Sequence, residues 1–308
     1  MIVLVTGGSG LIGKAIESIK NNYEYDFIFL SSSDCDLTNL SKTKEQFNKI
    51  KPDYVIHLAA NVGGLFKNMN QKVDMFEKNL LINYNVIKCC HDFKIKKLIS
   101  CLSTCIFPND TTYPINESML HNGEPHNSND AYSYAKRMIE VHSKAYREQY
   151  NDNFVCVIPT NVYGEYDNFS LEDGHVVPAL IHKCYLAKQN NEPFVVYGSG
   201  KPLRQFIYST DLAKLILWVL ENYSGEPIIL SPNESDEVPI KNVAELIAKE
   251  FNYDNIKFDT SKSDGQFKKT ADNTKLIDLY GEFKFTTIEE GIKKSVNWFI
   301  NNYKIARK

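Results

Sequence analysis

Residues 2–13 read Ile2-Val3-Leu4-Val5-Thr6-Gly7-Gly8-Ser9-Gly10-Leu11-Ile12-Gly13, and this stretch decides the fold. Its first four residues are apolar and mostly β-branched, which predicts a buried strand that ends at the glycines. The glycines follow the pattern G-x-x-G-x-x-G, and helical spacing begins directly after them. Such a loop turns backbone N–H groups and a helix N-terminus toward a pyrophosphate. The placement favours a dinucleotide site over a purely structural turn, formed by Gly7, Gly8, Ser9, Gly10, Leu11, Ile12 and Gly13.

Strand and helix patterns alternate through the first half of the chain. Apolar runs predict strands at 2–5, 27–30, 54–58, 97–101 and 154–159. Amphipathic spacing predicts helices at 11–22, 42–51, 74–93 and 131–149, with loops expected at 59–70 and 160–174. Alternation with short links is typical of right-handed βαβ units. We therefore expect an α/β fold with a Rossmann-type, doubly wound parallel sheet.

The second half of the chain is less regular. Helices are predicted at 177–190, 211–222, 240–251 and 288–302, and extended segments at 194–197, 227–230 and 256–258. No linker separates the two halves, so we expect a smaller α/β substrate lobe that is interleaved with the first domain. The predicted division is 1–165 for the dinucleotide-binding domain with its catalytic helix and 166–308 mainly for the substrate lobe, with a soft boundary.

Charge and composition exclude several classes of protein. The 308 residues include 35 Lys+Arg and 38 Asp+Glu, which gives a net charge of −3. This slight acidity argues against a nucleic-acid partner, whose binding requires neutralisation of phosphates. The sequence has no run of about 18 apolar residues, so we expect no membrane span.

The cysteines indicate a reducing compartment. There are seven of them, an odd and scattered set without the C-x-x-C or His/Cys spacing of a metal site. No basic leader or apolar signal segment precedes the first strand. We therefore expect reduced thiols, a cytoplasmic protein and no metal.

The end of the second predicted strand bears on the choice of dinucleotide. An NAD-selective site has an acid there to hold the ribose 2′-hydroxyl. This chain has Ser31, Ser32 and Ser33 instead, with Asp34 and Asp36 further along. Serine hydroxyls tolerate and can bind a 2′-phosphate, although no arginine stands beside them. The pattern favours NADP(H).

A tyrosine and a lysine four residues apart open the helix at 131–149. At that spacing, Tyr132 and Lys136 share one helix face. An ammonium group beside a phenol lowers the phenol pKa, and such a tyrosine can exchange a proton with a carbinol or ketone oxygen. Ser103 follows the fourth strand, where ligands bind in doubly wound sheets, and its hydroxyl can bond a carbonyl. Each has a plain alternative, an exposed lysine on an ordinary helix or a serine in a loop.

Taken together, these residues resemble the extended short-chain dehydrogenase/reductase family. The glycine loop and the Y-x-x-x-K pattern are typical of the whole superfamily, whereas S-x-C-I-F-P, G-H-V and K-S-D-G are narrower signals. The resemblance spans nearly the whole chain, in segments 5–13, 57–68, 100–108, 131–137, 159–168, 174–178, 204–208 and 258–269.

The narrower motifs imply a particular chemistry. By resemblance, the substrate is a GDP-sugar, GDP-4-dehydro-6-deoxy-D-mannose, which is epimerised at C3 and C5 and then reduced by NADPH at C4. Cys105 looks like the base and His175 like the acid of the epimerisation. Tyr132 would donate the proton in reduction, Lys136 would tune it, and Ser103 would anchor the carbonyl. A strand-like stretch would aim Ser103 and Cys105 to one side, although from the residues alone Cys105 also fits an inert thiol.

The resemblance also implies further contacts and a partner. Cofactor contacts are expected from Asp36, Lys136, Pro159, Thr160, Asn161, Val162 and His175, and substrate contacts from Lys183, Tyr197, Arg204 and Asp264. The helices at 74–93 and 131–149 would pair in a homodimer through a four-helix bundle, although their apolar faces would equally fit against the sheet. The alternatives are another nucleotide-sugar epimerase or reductase of the family, and a non-catalytic dinucleotide-sensing protein.

Overall fold

Strands and helices alternate through the first half of the chain in the computed structural model, which describes residues 1–264 and 266–308. The elements of this half, in chain order, are β1 (Ile2–Thr6), α1 (Leu11–Ile19), β2 (Asp26–Leu30), α2 (Leu40–Ile50), β3 (Tyr54–His57), α3 (Leu65–Asn70), α4 (Lys72–Asp92), β4 (Lys97–Cys101), α5 (Asp130–Tyr150) and β5 (Phe154–Pro159). Apart from α3, these elements match the predicted strands and helices to within about two residues, the usual uncertainty at element ends, except that α1 ends at Ile19, three residues before the predicted end, and a 3₁₀ turn (Lys20–Asn22) follows it.

The second half contains shorter strands between helices. Its elements are β6 (Asn161–Tyr163), α6 (Val176–Asn190), β7 (Phe194–Tyr197), β8 (Leu203–Arg204), β9 (Phe206–Tyr208), α7 (Ser209–Asn222), β10 (Ile228–Leu230), β11 (Val238–Pro239), α8 (Ile240–Glu250), β12 (Ile256–Asp259), α9 (Thr274–Tyr280) and α10 (Ile288–Asn301). Among the described residues, no helix is both long enough and apolar enough to cross a membrane.

The central sheet confirms the predicted fold class. In the described residues its strand order is β10-β5-β4-β3-β1-β2, and every pair is parallel. The chain leaves β2 at one edge and crosses β1 to reach β3, so the direction of winding reverses between β1 and β3. Ligands bind outside the carboxyl ends of strands at such a reversal.

Both faces of this sheet are buried. Val3 and Val5 pack in one apolar cluster, and Leu4, which points to the other face, packs in a second. Strands buried on both faces read as continuous apolar runs, which is why the sequence pattern was so clear. A third cluster, around Phe169 and Phe299, draws its buried residues from 163–306 alone. Because β10 belongs to the central sheet, the chain returns to the first layer after residue 165, and the proposed division of roles at that point stays a prediction.

Two predicted loops contain regular structure. Residues 65–70 form α3. The helix is held from outside because Gly64 N–H, at its N-terminus, donates to the Asp173 carbonyl at 2.9 Å, and locally because the Asn68 side chain donates to the Gly63 carbonyl at 2.8 Å. Residues 161–163 form β6, which pairs in parallel with β9. The loop predictions were wrong there because both elements are too short for a periodic pattern and depend on distant partners. The same holds for β8, β9, β11 and α9, which the sequence pattern did not indicate.

A buried polar chain connects the end of β1 to α5. The two ring nitrogens of His57 lie 2.8 Å from Thr6 Oγ1 and 3.1 Å from Asn83 Oδ1, and the Asn83 amide donates to the Ala135 carbonyl at 3.2 Å. Burial, with Lys136 nearby, lowers the pKa of His57 to about 3. The imidazole is therefore neutral, so Nε2–H donates to Asn83 and Nδ1 accepts from Thr6. Each buried polar atom of His57 thus has a partner.

Replacing His57 by asparagine should reduce the slope with which the free energy of unfolding falls as the pH is lowered below neutral. The pKa of His57 is lowered on folding, so below its unfolded value of 6.5 only the unfolded chain takes up the proton. Stability is therefore lost as the pH falls from there toward 3, by up to about 1.4 kcal/mol per pH unit. Urea unfolding of wild type and His57→Asn across this range measures the two slopes.

The matched control is His126→Asn, whose half-buried imidazole lies 2.8 Å from Ser128 Oγ. This variant should keep the wild-type slope. Equal slopes in wild type and His57→Asn would show that His57 does not carry the effect.

Candidate active site

The glycine loop fits a dinucleotide pyrophosphate. Gly7 has a φ of +71°, and a Cβ there would lie 2.8 Å from the Ala59 nitrogen, while a Cβ on Gly8 would meet Phe29 at 2.6 Å and one on Gly13 would meet Gly8 at 2.6 Å. The loop therefore packs against β2, β3 and α1 as only glycine allows. Gly10 is the N-cap residue of α1 and has no side chain to cap the helix. Ser9 is exposed, and Leu11 and Ile12 form the first helical turn, so this N-terminus is open to an anion.

The end of β2 carries a carboxylate next to the serines. Ser31 N–H donates to Asp34 Oδ2 at 2.8 Å, and hydrogen bonds from Ser31 lower the pKa of Asp34. The Ser31 and Ser33 hydroxyls lie 2.7 Å apart. Asp36, a predicted cofactor residue, accepts from Thr38 N–H at 3.0 Å. Asp34 is three residues beyond Ser31 in the sequence, but the turn after β2 brings its carboxylate into hydrogen-bond contact with Ser31.

Tyr132 and Lys136 lie on α5 beside the end of β4. Lys136 is buried, and its Nζ donates to the Cys101 carbonyl at 2.8 Å. Burial raises the pKa of Tyr132 well above its usual range, with smaller contributions from the thiols of Cys105 and Cys101. Burial likewise lowers the pKa of Lys136. The prediction that Lys136 lowers the phenol pKa is therefore wrong for the chain alone, because burial dominates and keeps Tyr132 a neutral phenol.

Ser103 and Cys105 lie on a short turn, not on the predicted strand-like stretch. Ser103 is the N-cap residue of a single 3₁₀ turn, Thr104–Ile106, and its Oγ accepts from Cys105 N–H at 3.4 Å. Cys105 is half-buried, whereas the other six cysteines are buried. A strand would have sent the two side chains to one side by alternation. In the turn, the Ser103 hydroxyl is instead hydrogen-bonded to the backbone of Cys105.

Two cations that the sequence did not single out lie near Cys105. Lys269 lines a small cavity with Cys105, Tyr113 and Asn129. Burial lowers the pKa of Lys269, and the Cys105 thiol opposes that shift. The Arg137 guanidinium is buried and donates from Nε to the Ile106 carbonyl at 3.0 Å. Both residues lie inside the segments that carry the resemblance, which is the only signal that could have found them.

Residues 159–175 connect the sheet to α6. Pro159 ends β5, and Thr160 N–H donates to the Leu230 carbonyl at 3.4 Å. Within the described part of the chain, the buried Thr160 hydroxyl has no hydrogen-bond partner. Asn161 and Val162 lie in β6, and the Asn161 amide donates to the Gln205 carbonyl at 2.9 Å. These predicted cofactor residues thus follow the sheet strand adjacent to β4.

His175 begins α6 as its N-cap residue, and its side chain is exposed. The carbonyl of Asp173, two residues earlier, accepts from Gly64 N–H at 2.9 Å, so the chain before His175 packs against the loop after β3. Burial raises the pKa of nearby Asp167 to about 6, and the positive charge of His175 opposes that shift. Motif reasoning did not single out Asp167 as a site residue.

The predicted substrate residues of the second lobe make contacts within the protein. Lys183 Nζ lies 3.5 Å from the centre of the Tyr197 ring, and burial lowers the pKa of Lys183. Asp264 Oδ1 accepts from Ser199 N–H at 2.6 Å. Arg204 donates to the Leu203 carbonyl at 2.7 Å, so part of its fork is used within the protein. Gly265 of the K-S-D-G motif lies outside the described residues.

Known proteins match this chain over almost its full length. The model of the NAD dependent epimerase/dehydratase family matches residues 3–230. A GDP-L-fucose synthase from Dictyostelium discoideum is 55% identical over 99% of this chain and 97% of that protein. A probable GDP-L-fucose synthase from Drosophila melanogaster is 50% identical over 99% of both chains. A crystal structure of a GDP-L-fucose synthetase from Naegleria fowleri bound to NADP has 52% identity and a TM-score of 0.96, covering 100% of this chain and 95% of that one.

The chain therefore belongs to the NAD dependent epimerase/dehydratase family, the class that the glycine loop and the parallel sheet define. Within that family, the chain is similar over nearly its full length to GDP-L-fucose synthases. The resemblance to the extended short-chain dehydrogenases/reductases is thereby confirmed.

Proposed function

We propose that this protein is an NADPH-dependent epimerase-reductase that converts GDP-4-dehydro-6-deoxy-D-mannose to GDP-L-fucose. Epimerisation at C3 and C5 comes first, and reduction at C4 follows. The observation that carries the proposal is that Lys136, one helical turn after Tyr132, donates to the Cys101 carbonyl at the end of β4, four residues before Cys105. A thiol suited to proton transfer at carbon and a phenol suited to proton transfer at oxygen thus lie at the same end of the sheet. The names of the similar proteins support the same substrate and product.

The cofactor of this reaction is NADP(H). The glycine loop, Asp36, residues 159–162, Lys136 and His175 would hold it, and it supplies the hydride for C4 when bound. The loop suits this task because its glycines leave no side chain between the backbone and a pyrophosphate. The Naegleria fowleri structure is bound to NADP.

Cys105 and His175 carry out the epimerisation. The C4 ketone acidifies the C–H bonds at C3 and C5, so a base can remove those protons and an acid can return them on the opposite face. Cys105 takes the proton as a thiolate, and Lys269 and the buried Arg137 guanidinium interact electrostatically with it. His175 returns a proton from the other side. Ser103 donates a hydrogen bond to the C4 oxygen, where negative charge develops.

Tyr132 supplies the proton for the reduction. A raised phenol pKa keeps the proton on Tyr132 until the C4 oxygen becomes more basic than the phenol, which suits a donor. Lys136 is fixed by its hydrogen bond to the Cys101 carbonyl. Its ammonium group then stabilises the phenolate that remains after transfer.

The second lobe holds the nucleotide. Lys183 and Arg204 provide positive charge for the diphosphate, Tyr197 an aromatic face, and Asp264 a hydrogen-bond acceptor. Lys183 over the Tyr197 ring and Asp264 on Ser199 are already positioned within the protein. Residues 1–165 would accordingly serve the cofactor and the catalysis, and residues 166–308 mainly the nucleotide-sugar.

The exposed faces of α4 and α5 favour a homodimer. The two helices pack side by side, and Tyr84 stacks on His142 between them at a ring distance of 5.6 Å. Their outer faces nevertheless carry apolar side chains, with Phe76 36%, Met138 36% and Val141 44% exposed. A second copy of this pair would bury them in a four-helix bundle. The free cysteines support a place in the cytoplasm.

The purified protein should oxidise NADPH when GDP-4-dehydro-6-deoxy-D-mannose is added. The expected product is GDP-L-fucose, identified by its sugar ring configuration in NMR spectra. Absorbance at the NADPH band follows the reaction, and the GDP-mannose parent sugar, which has no ketone, is the control. Unchanged absorbance with the keto sugar would reject the proposed function.

Variants of Cys105 and Tyr132 should separate the two chemistries. Cys105→Ser should slow solvent deuterium uptake at C3 and C5 by at least about a hundredfold, since general acid–base catalysis contributes that much. Tyr132→Phe should leave deuterium uptake measurable while abolishing NADPH oxidation. Deuterium uptake is read by mass spectrometry of the keto sugar, and NADPH binding by fluorescence. Full exchange in Cys105→Ser, or full reduction in Tyr132→Phe, would remove that residue from its role.

Charges placed on the outer faces of α4 and α5 should split the dimer. Val141→Glu combined with Phe76→Glu would bury like charges in the proposed interface, which is costly because they have no partners there. Light scattering after gel filtration should give a dimer mass for wild type and a monomer mass for the double variant. Ile300→Glu is the control, because Ile300 is 43% exposed on α10. A wild-type monomer, or a double variant that stays dimeric, would contradict the interface.

A further inference from the structure

Arg137 is a buried cation that the chemistry above uses only as a nearby charge. Its side chain is 6% exposed and lies on α5 directly after Lys136. Nε donates to the Ile106 carbonyl at 3.0 Å, and Nη2 donates to the same oxygen. Nη1 donates to the Gly123 carbonyl at 2.9 Å. All three guanidinium nitrogens therefore donate to backbone carbonyls, a geometry that lysine cannot reproduce.

The two carbonyls belong to the long irregular segment between β4 and α5. Ile106 ends the 3₁₀ turn that carries Cys105, and Gly123 lies seventeen residues further on in the same segment. An irregular segment has no strand or helix ladder to fix it, so its position depends on individual side-chain contacts. Arg137 joins two distant points of the segment to one helix.

Consecutive residues of α5 hold the turn from both sides. Lys136 Nζ donates to the Cys101 carbonyl at 2.8 Å, and Arg137 donates to the carbonyl of Ile106. Ser103 and Cys105 lie between these two anchor points. Tyr132 is one helical turn before Lys136. The helix that carries the phenol therefore also sets the position of the hydroxyl and the thiol relative to that phenol.

We propose that Arg137 is a positioning residue for the epimerisation: it fixes the Thr104–Ile106 turn so that the Cys105 sulfur faces the substrate carbons. Lys136 secures the Ser103 end through Cys101, and Arg137 secures the Cys105 end through Ile106. The reduction uses Tyr132 and Lys136, which lie on α5 itself, and Ser103, which is closer in the chain to the Cys101 anchor than to the Ile106 anchor. Arg137 therefore matters more for proton transfer at C3 and C5 than for hydride transfer at C4.

The buried guanidinium has a second effect on the same thiol. Arg137 also interacts electrostatically with the Cys105 thiol. Position and charge are separable, because lysine keeps the charge but loses the fork. This inference rests on the proposed function, since it assigns a residue to one half of the proposed reaction.

The test compares Arg137→Met and Arg137→Lys with wild type in two assays. Deuterium uptake at C3 and C5 of the keto sugar reports epimerisation. Oxidation of GDP-L-fucose by NADP⁺ reports hydride transfer without epimerisation. We expect deuterium uptake in Arg137→Met to fall by about a hundredfold, the effect of a misplacement of roughly 1 Å. The rate of hydride transfer should stay within about threefold of wild type, which is a small change in the activation barrier. Arg137→Lys should lie between wild type and Arg137→Met for uptake.

Arg147→Met is the matched control. Arg147 also lies on α5, with its side chain 13% exposed, and its Nη1 donates to the Phe154 carbonyl at 2.8 Å. It anchors β5 and not the Cys105 turn, so both activities should fall together or not at all. A loss in Arg137→Met that is equal for uptake and hydride transfer would mean a general structural role and would overturn the inference.

Alkylation of Cys105 by iodoacetamide tests the inference independently of turnover. Cys105 is the half-buried cysteine of the chain, and mass spectrometry identifies its adduct. At a fixed pH the alkylation rate should rise in Arg137→Met, because a turn freed from its Ile106 anchor opens more often and exposes the half-buried thiol. The rate of Arg137→Lys should lie between those of wild type and Arg137→Met. If Arg137→Met does not fold, the ratio of uptake to hydride transfer in Arg137→Lys decides, and an unchanged ratio overturns the inference. If wild type does not process the GDP-sugar, the proposed function fails. The alkylation of Cys105 can still be measured in that case, and an equal alkylation rate in wild type and Arg137→Met would overturn this inference as well.

Discussion

The close packing of the glycine loop against the end of β3 is the constraint on which the site depends. Gly7 adopts a φ of +71°, and a Cβ at that position would lie 2.8 Å from the Ala59 nitrogen. This contact brings β1 and the loop after β3 together where the winding of the sheet reverses. It also fixes the N-terminus of α1 over the crevice. A side chain at Gly7 would thus push apart the two segments between which a dinucleotide has to bind.

Buried polar contacts carry this fixed geometry to the catalytic helix. The chain from Thr6 through His57 and Asn83 to the Ala135 carbonyl links β1, β3, α4 and α5. Ala135 precedes Lys136, so the next residue along reaches β4 through the Cys101 carbonyl. Groups that exchange protons have to be held within a fraction of an ångström. Hydrogen bonds that are directional and shielded from water supply that accuracy better than apolar packing alone.

The parts of the fold that the sequence predicted are those with strong local signals. β1, β3, β4 and β5 are largely buried, and their mainly apolar sequences identify them. β6 and β9 are three residues long and exist because they pair with each other, so no local pattern indicates them. α3 likewise depends on the hydrogen bond that Gly64 N–H, at its N-terminus, donates to the carbonyl of the distant residue Asp173. Elements of this size are fixed by tertiary contacts, which a single sequence does not show.

The candidate site divides along the same line. Motifs located Ser103, Cys105, Tyr132 and Lys136, because spacing on a helix or after a strand is a local property. They did not locate Arg137 or Lys269, because only the folded chain brings these two residues close to Cys105. They also did not locate Asp167, which is buried near His175. Motif reasoning also gave the wrong direction for the Tyr132 pKa. It counted the neighbouring charge and left out the desolvation, which only the folded structure reveals.

That reversed direction explains how one pocket can serve two kinds of proton transfer. The reduction requires a phenol that still holds its proton, and the epimerisation requires a thiol that has lost it. A shared dry pocket would keep both groups neutral, because burial disfavours every charge. The cations are distributed so as to treat the two groups differently. Lys136 on α5 donates to the Cys101 carbonyl. Arg137, the next residue of α5, and Lys269, in the segment before α9, both interact electrostatically with Cys105. The Arg137 fork also fixes the turn that carries the thiol, whereas Tyr132 is held by the helix to which it belongs.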